Sequence, residues 1–201
     1  MELMLGSGPR FARDAFGPVL AFYLGWKLFG LAPGVIAATS VSIAAYVWER
    51  RHARSGLAAS IGLAIALVQA TAGLAAGSAR VYLAPPVIVN AAYGLAFLGS
   101  VLLGRPLAGI FAQEMYPFPP DVRASTTYRR TFSRISLVWA ACLLSRSVLR
   151  FVILLRASID VFVLVNVVTG APITLGVMAW SIWYGVRSFR RSEEGGRSLE
   201  T

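Results

Sequence analysis

The chain has 201 residues, of which 57% are hydrophobic and only 14% charged. A soluble domain carries about 25% charged residues, so the composition excludes an ordinary water-soluble globule and places the core between helices in lipid. The formal net charge of +10 would suit nucleic acid, but the basic residues are not interleaved with aromatics on one face. They cluster between apolar runs, as membrane orientation and anionic headgroups favour, and no nucleic-acid partner is expected.

Spans of about 20 apolar residues, with shorter ones tolerated, divide the chain into an all-α polytopic fold of six transmembrane helices. The first is expected at 11–29, ending before Gly30. Arg10 and Arg13 ahead of an apolar stretch resemble a signal peptide. Trp26, Lys27 and Phe29 stand where small residues of a cleavage site would be, so this span is read as retained. The second span is 32–48, entered through Pro33-Gly34, and His52, the only histidine, follows it in a loop. The third is 57–76, where Ala58, Gly62 and Ala66 form a small-residue ridge suited to close helix packing. The fourth is 83–103, with Pro85-Pro86 in its first turn, where a missing N–H costs least.

The longest connection, 104–134, carries Pro106, Pro117, Pro119 and Pro120. Its first half, 106–115, reads as an interfacial helix. The fifth span is 135–155, with Cys142, the only cysteine, as a small core residue. The sixth is 159–186, with Gly170 and Pro172 marking a kink. Residues 188–201 read as a flexible polar tail. Short turns after spans one, three and five make three hairpins in series.

Loop charges set the orientation. One side holds Arg10, Arg13, Arg50, Arg51, Arg54, Arg105, Arg123, Arg129, Arg130, Arg134, Arg187, Arg190, Arg191 and Arg197; the other holds Arg80 and Arg156. Both termini are therefore expected in the cytoplasm, with the protein in the inner membrane.

Given that orientation, a rise of about 1.5 Å per residue places the polar side chains of the spans in the outer half. Lys27 lies about 5 Å from the outer end, Arg150 about 7 Å, Asn90 and Asn166 about 10 Å, Gln69 about 10–12 Å and Arg146 about 13 Å. Thr39 and Ser42 fall in the same half. Buried polar groups in lipid need partners, so a shared cluster of Lys27, Gln69, Asn90, Arg146, Arg150, Asp160 and Asn166 is expected. Asp160 would pair with Arg156 at i, i+4 or reach Arg150. Excess positive charge would suit a phosphate, a carboxylate or a lipid headgroup. The plainer alternative is helix-packing glue: Lys27 and Arg150 snorkelling to the interface, and amides bonding across helices at about 0.6 kcal/mol each. Arg146 is the hardest to explain that way. No metal-ligand spacing, nucleophile elbow, phosphate-binding Gly loop or pair of intramembrane acids occurs, so no enzyme, cofactor or metal is expected.

Several short motifs carry a family resemblance. They are Pro18–Tyr23, Ala37–Thr39 and Tyr46–Arg50 in the first hairpin, Asn90–Ser100 in span four, Gly104–Leu107 at its exit, and Leu137–Ala141 in span five. Together, from Pro18 to about Arg187, the chain resembles the intracellular septation protein A family of bacterial inner-membrane proteins. It is most similar to an actinobacterial multi-pass branch. The resemblance implies a role in cell-envelope integrity and septation, exerted through other membrane proteins, with membrane lipids as the remaining partners. The oligomeric state is left open.

Overall fold

The computed structural model describes the backbone of residues 8–51, 57–115 and 118–197, with side chains over 17–51, 60–114 and 118–190. Among the described residues the structure is all helical. Its elements are α1 Gly8–Phe29, α2 Leu31–Arg51, α3 Leu57–Ala75, α4 Ala79–Leu102, α5 Leu107–Met115, α6 Pro120–Ala124, α7 Thr126–Arg156, α8 Ile159–Thr169 and α9 Ala171–Arg197.

Among the described residues, four stretches are long and apolar enough to cross a membrane: Leu31–Arg51, Ala79–Leu102, Thr126–Arg156 and Ile159–Arg190. Ser60–Ala75 is apolar but shorter. Many large apolar side chains on these helices are exposed, among them Ile88, Leu95, Val148, Leu164 and Trp183. In water this would be a liability; against acyl chains it is the expected surface.

Helix ends follow local chemistry. At the end of α3, Ser78 N–H bonds back to the Gly73 carbonyl and Gly77 N–H to the Leu74 carbonyl. This pattern of a Schellman cap puts Gly77 at φ 59°, a left-handed conformation cheap only for glycine. The same pairing recurs after α4, with Arg105 N–H on Ser100 and Gly104 N–H on Val101. At the start of α7, Ser125 Oγ accepts from Tyr128 N–H at 3.1 Å, an N-cap. The first two N–H groups of α5 are also taken by side chains: Leu107 donates to Ser100 Oγ at 3.0 Å and Ala108 to Ser136 Oγ at 3.1 Å.

Several boundaries differ from the sequence expectation. α4 starts at Ala79 rather than 83, so Pro85 and Pro86 sit inside it. α7 starts nine residues before the expected 135, because its polar first turns are capped and helical although they are not apolar. The expected sixth span is two helices, α8 and α9, broken at Gly170. α9 runs on to Arg197, so the tail expected to be flexible from 188 is helical that far; 198–201 lie outside the described residues. The helix expected at 106–115 is present as α5.

The chain forms two compact units. The first comprises Met1–Ile88 and Arg150–Ala171. In it α1 packs on α2, α2 on α3, and α1 touches α8. Its core holds Phe22, Val35, Ala38, Tyr82, Leu83, Leu154 and Phe162, with the Phe22 and Tyr82 rings stacked at 4.0 Å. The backbones of α1 and α2 approach closely. A Cβ on Gly34 would stand 2.7 Å from Trp26 N and 2.8 Å from Phe22 O, so only hydrogen fits there. The expected ridge on α3 does not play that part: Gly62 faces open space, Ala66 is buried, and the side chain of Ala58 is outside the described ones.

The second unit comprises Val89–Leu149 and Pro172–Thr201. Tyr128, Phe132 and Ile135 of α7 are buried there against Ala108, Phe118, Trp139, Trp180, Tyr184 and Phe189.

Candidate functional site

Among arginines with described side chains, all are exposed except Arg146, which is half-buried, and Arg150, which is 5% exposed. Charge in the membrane interior is expensive, so their surroundings decide what these two residues do.

Arg150 belongs to the first unit. Its Nη2 donates to the Asn166 carbonyl at 3.1 Å and to Thr169 Oγ1 at 3.3 Å. Asn166 and Thr169 are in the last turn of α8, where the Gly170 N–H bonds the Val167 carbonyl instead of that of Asn166. The break at Gly170 creates those orphan acceptors, and Arg150 supplies both a donor and a positive charge at the negative end of the helix dipole. Thr169 Oγ1 in turn donates to the Val165 carbonyl at 2.6 Å. The asparagine takes part through its backbone, a role no side-chain pattern could forecast.

Lys27 and Asp160 also lie in the first unit. Lys27 Nζ is 3.0 Å from Asp160 Oδ1 and 3.0 Å from Tyr23 Oη, and Tyr23 Oη donates to the same carboxylate oxygen. Asp160 therefore takes Lys27 as its ionic partner, not Arg156 or Arg150 as expected. The lysine is less than four residues from the end of α1, within reach across to the first turn of α8. The pair is about half exposed, so the charge of Lys27 is neutralised where it stands.

One other expected member, Gln69, and the outer-half hydroxyls of Thr39 and Ser42 stand apart from these contacts. Thr39 Oγ1 donates to Val35 O at 2.8 Å and Ser42 Oγ to Ala38 O at 3.0 Å, each one turn back on α2. Gln69 is half-buried on α3 and, among the described residues, makes no hydrogen bond to Lys27, Asp160 or Asn166.

Arg146 belongs to the second unit. Nη1 donates to Thr174 Oγ1 at 3.0 Å and Nη2 to Asn90 Oδ1 at 2.8 Å. These bonds join α7 to α4 and to the first turn of α9. Both terminal nitrogens of the fork are in use, and both acceptors are neutral. An anion binding through both terminal nitrogens would share the guanidinium with Asn90 and Thr174.

The expected members thus meet in pairs: Lys27 with Asp160, Arg150 with Asn166, Arg146 with Asn90. In the first unit the two pairs share no residue. Sequence reasoning missed Thr169, Thr174 and Tyr23. The only signal for the threonines was a hydroxyl in an apolar run beside Gly170 and Pro172. Among the described residues no group of three or more His, Cys, Asp or Glu could hold a metal ion.

A family model described as protein of unknown function (DUF3159) matches residues 6–192. The chain belongs to this family. The match covers nearly the whole length of the chain. No curated protein and no solved structure matches the chain. The family match does not link it to the intracellular septation protein A family.

Proposed function

We propose that this member of the family is a non-enzymatic protein of the cytoplasmic membrane, crossing it six times with both termini in the cytoplasm. It acts through other membrane proteins in envelope integrity and septation. The arginine asymmetry of the loops supports the topology. The motifs at Pro18–Tyr23, Asn90–Ser100 and Gly104–Leu107 support the septation role.

One observation carries the scaffold reading: the guanidinium groups of Arg146 and Arg150 are hydrogen-bonded by groups on other helices. Arg146 spends both terminal nitrogens on Asn90 and Thr174, and Arg150 caps the end of α8. These are locks on helix position. The test is deletion of the gene in the source organism, with cell length and septum spacing measured by microscopy. Elongated or irregularly septate cells are expected, restored both by the native chain and by an Arg146→Leu chain. Normal division combined with altered uptake of an anionic solute would overturn the reading.

A second reading, a small transporter or an anion- or lipid-binding protein, is favoured by the neutral character of the acceptors. Amide, hydroxyl and carbonyl oxygens bond the two guanidinium groups without cancelling their charge. It requires that phosphate raise the melting temperature of the purified protein and that Arg146→Leu abolish the rise. An unchanged native melting temperature would remove it.

A further inference from the structure

A second basic feature lies outside the helix contacts just described. Thr126, Arg129, Arg130, Ser133 and Arg134 line a surface concavity of about 370 Å³ in the second unit. Their spacing of i, i+3, i+4, i+7, i+8 puts them on one face of α7 over its first turns. None of the five is acidic, three carry fixed positive charge, and two carry hydroxyl donors.

Two of the arginines are held in place. The Arg129 guanidinium occupies the space that a side chain at residue 104 would fill, with Nη2 2.9 Å from the position of a Cβ there; residue 104 is a glycine at φ 71°. Arg134 Nη1 donates to Tyr184 Oη at 2.9 Å, and Tyr184 stacks on Trp180 with ring centroids 5.1 Å apart. Arg130 is exposed. Guanidinium forks arranged this way suit phosphate oxygens better than lysine would.

The surroundings give the level of the site in the bilayer. The apolar part of α7 begins at Ile135, directly after the concavity. Trp180, Trp183 and Tyr184 stand on α9 beside it, with Arg187 over the Trp183 ring at 5.2 Å. Aromatic rings with arginines mark the height of lipid headgroups. A soluble anion would find these arginines, but a lipid phosphate is delivered to that height by the bilayer itself.

We propose that this face of α7 is a binding site for an anionic phospholipid headgroup bearing two phosphates, of the diphosphatidyl (cardiolipin) class. Three arginines and two hydroxyls supply donors for two phosphate groups. Basic pockets on the cytoplasmic side of membrane helices recognise headgroups of this kind. The proposal rests on the membrane reading above, and it does not depend on the septation role.

The experiment uses the purified full chain in detergent, titrated with cardiolipin, phosphatidylglycerol, phosphatidylcholine and pyrophosphate. Native mass spectrometry and the melting temperature are the readouts. Cardiolipin should bind about tenfold or more tightly than phosphatidylcholine, from charge near the headgroup plane, and should raise the melting temperature. Arg129→Gln with Arg130→Gln should remove that preference, while Arg123→Gln, an exposed arginine on α6, should leave it intact. Should the double variant fail to fold, Arg130→Gln alone should still weaken cardiolipin binding. Equal binding of cardiolipin and phosphatidylcholine, an equal loss in Arg123→Gln, or an undiminished preference in Arg130→Gln would overturn the proposal. Stabilisation by pyrophosphate as strong as by cardiolipin would also overturn it, pointing to a soluble anion. A normal septum in the deletion strain touches only the septation role, and loss of lipid preference touches only this site.

Discussion

Asn90→Leu should destabilise this protein more than Arg146→Leu, although the arginine is the costlier residue to place in a membrane. Arg146 donates one bond to Asn90 at 2.8 Å and one to Thr174 at 3.0 Å. Removing the arginine forfeits both, at about 0.6 kcal/mol each for contacts between membrane helices, so about 1.2 kcal/mol from these two bonds. It leaves behind two neutral oxygens. Removing Asn90 forfeits one bond but leaves a guanidinium short of an acceptor. Bonds to charged groups contribute about 1.5–3 kcal/mol, so a loss of about 2 kcal/mol is expected. The double variant removes charge and acceptor together and should cost no more than Arg146→Leu alone. A double-mutant cycle should therefore return a coupling of about 1–2 kcal/mol. The assay is reversible unfolding in mixed detergent micelles, followed by fluorescence of the five tryptophans. Additive single variants, or a silent Asn90→Leu, would refute the claim that this pair locks α7 to α4.

Three further outcomes are expected. Gly34→Ala should destabilise the α1–α2 pair by about 1–3 kcal/mol through overpacking, because the new methyl meets backbone atoms of Phe22 and Trp26; Gly62→Ala, facing open space, should be close to neutral in the same unfolding assay. Ser136→Ala should cost about 1 kcal/mol and raise amide hydrogen exchange at the start of α5, since Ser136 Oγ is the acceptor for Ala108 N–H; unchanged exchange there would refute the capping role. Reporter fusions placed after Arg54 and after Arg130 should both read as cytoplasmic, and a periplasmic signal at either would overturn the six-span topology.

The helical content was legible in the sequence because hydropathy and chain punctuation agree. Gly30, Gly77 and the Ala157–Ser158 turn separate helices where apolar runs stop. Hydropathy could not see the first turns of α7, where Ser125 caps a helix of polar residues outside the apolar run. It could not distinguish a kink from a break at Gly170 either, since that depends on whether the freed carbonyls find another donor, and Arg150 comes from elsewhere in the chain. The importance of Arg146 and Arg150 was readable from cost alone. Their partners were not, because depth along a helix says nothing of azimuth. Lys27, Arg146 and Arg150 are all expected in the outer half of their spans, yet each bonds a different set of residues. Close backbone approach came from glycines on different helices: Gly25 and Gly34 face each other across the α1–α2 turn, while Gly62 of the α3 ridge faces open space.

The cap on α8 has a consequence for biosynthesis. When α7 leaves the ribosome, the oxygens that Arg150 will bond, and one of the two that Arg146 will bond, have not yet been made. The contacts of Arg150 with Asn166 and Thr169, and that of Arg146 with Thr174, therefore form only after α8 and the start of α9 have been added to the chain.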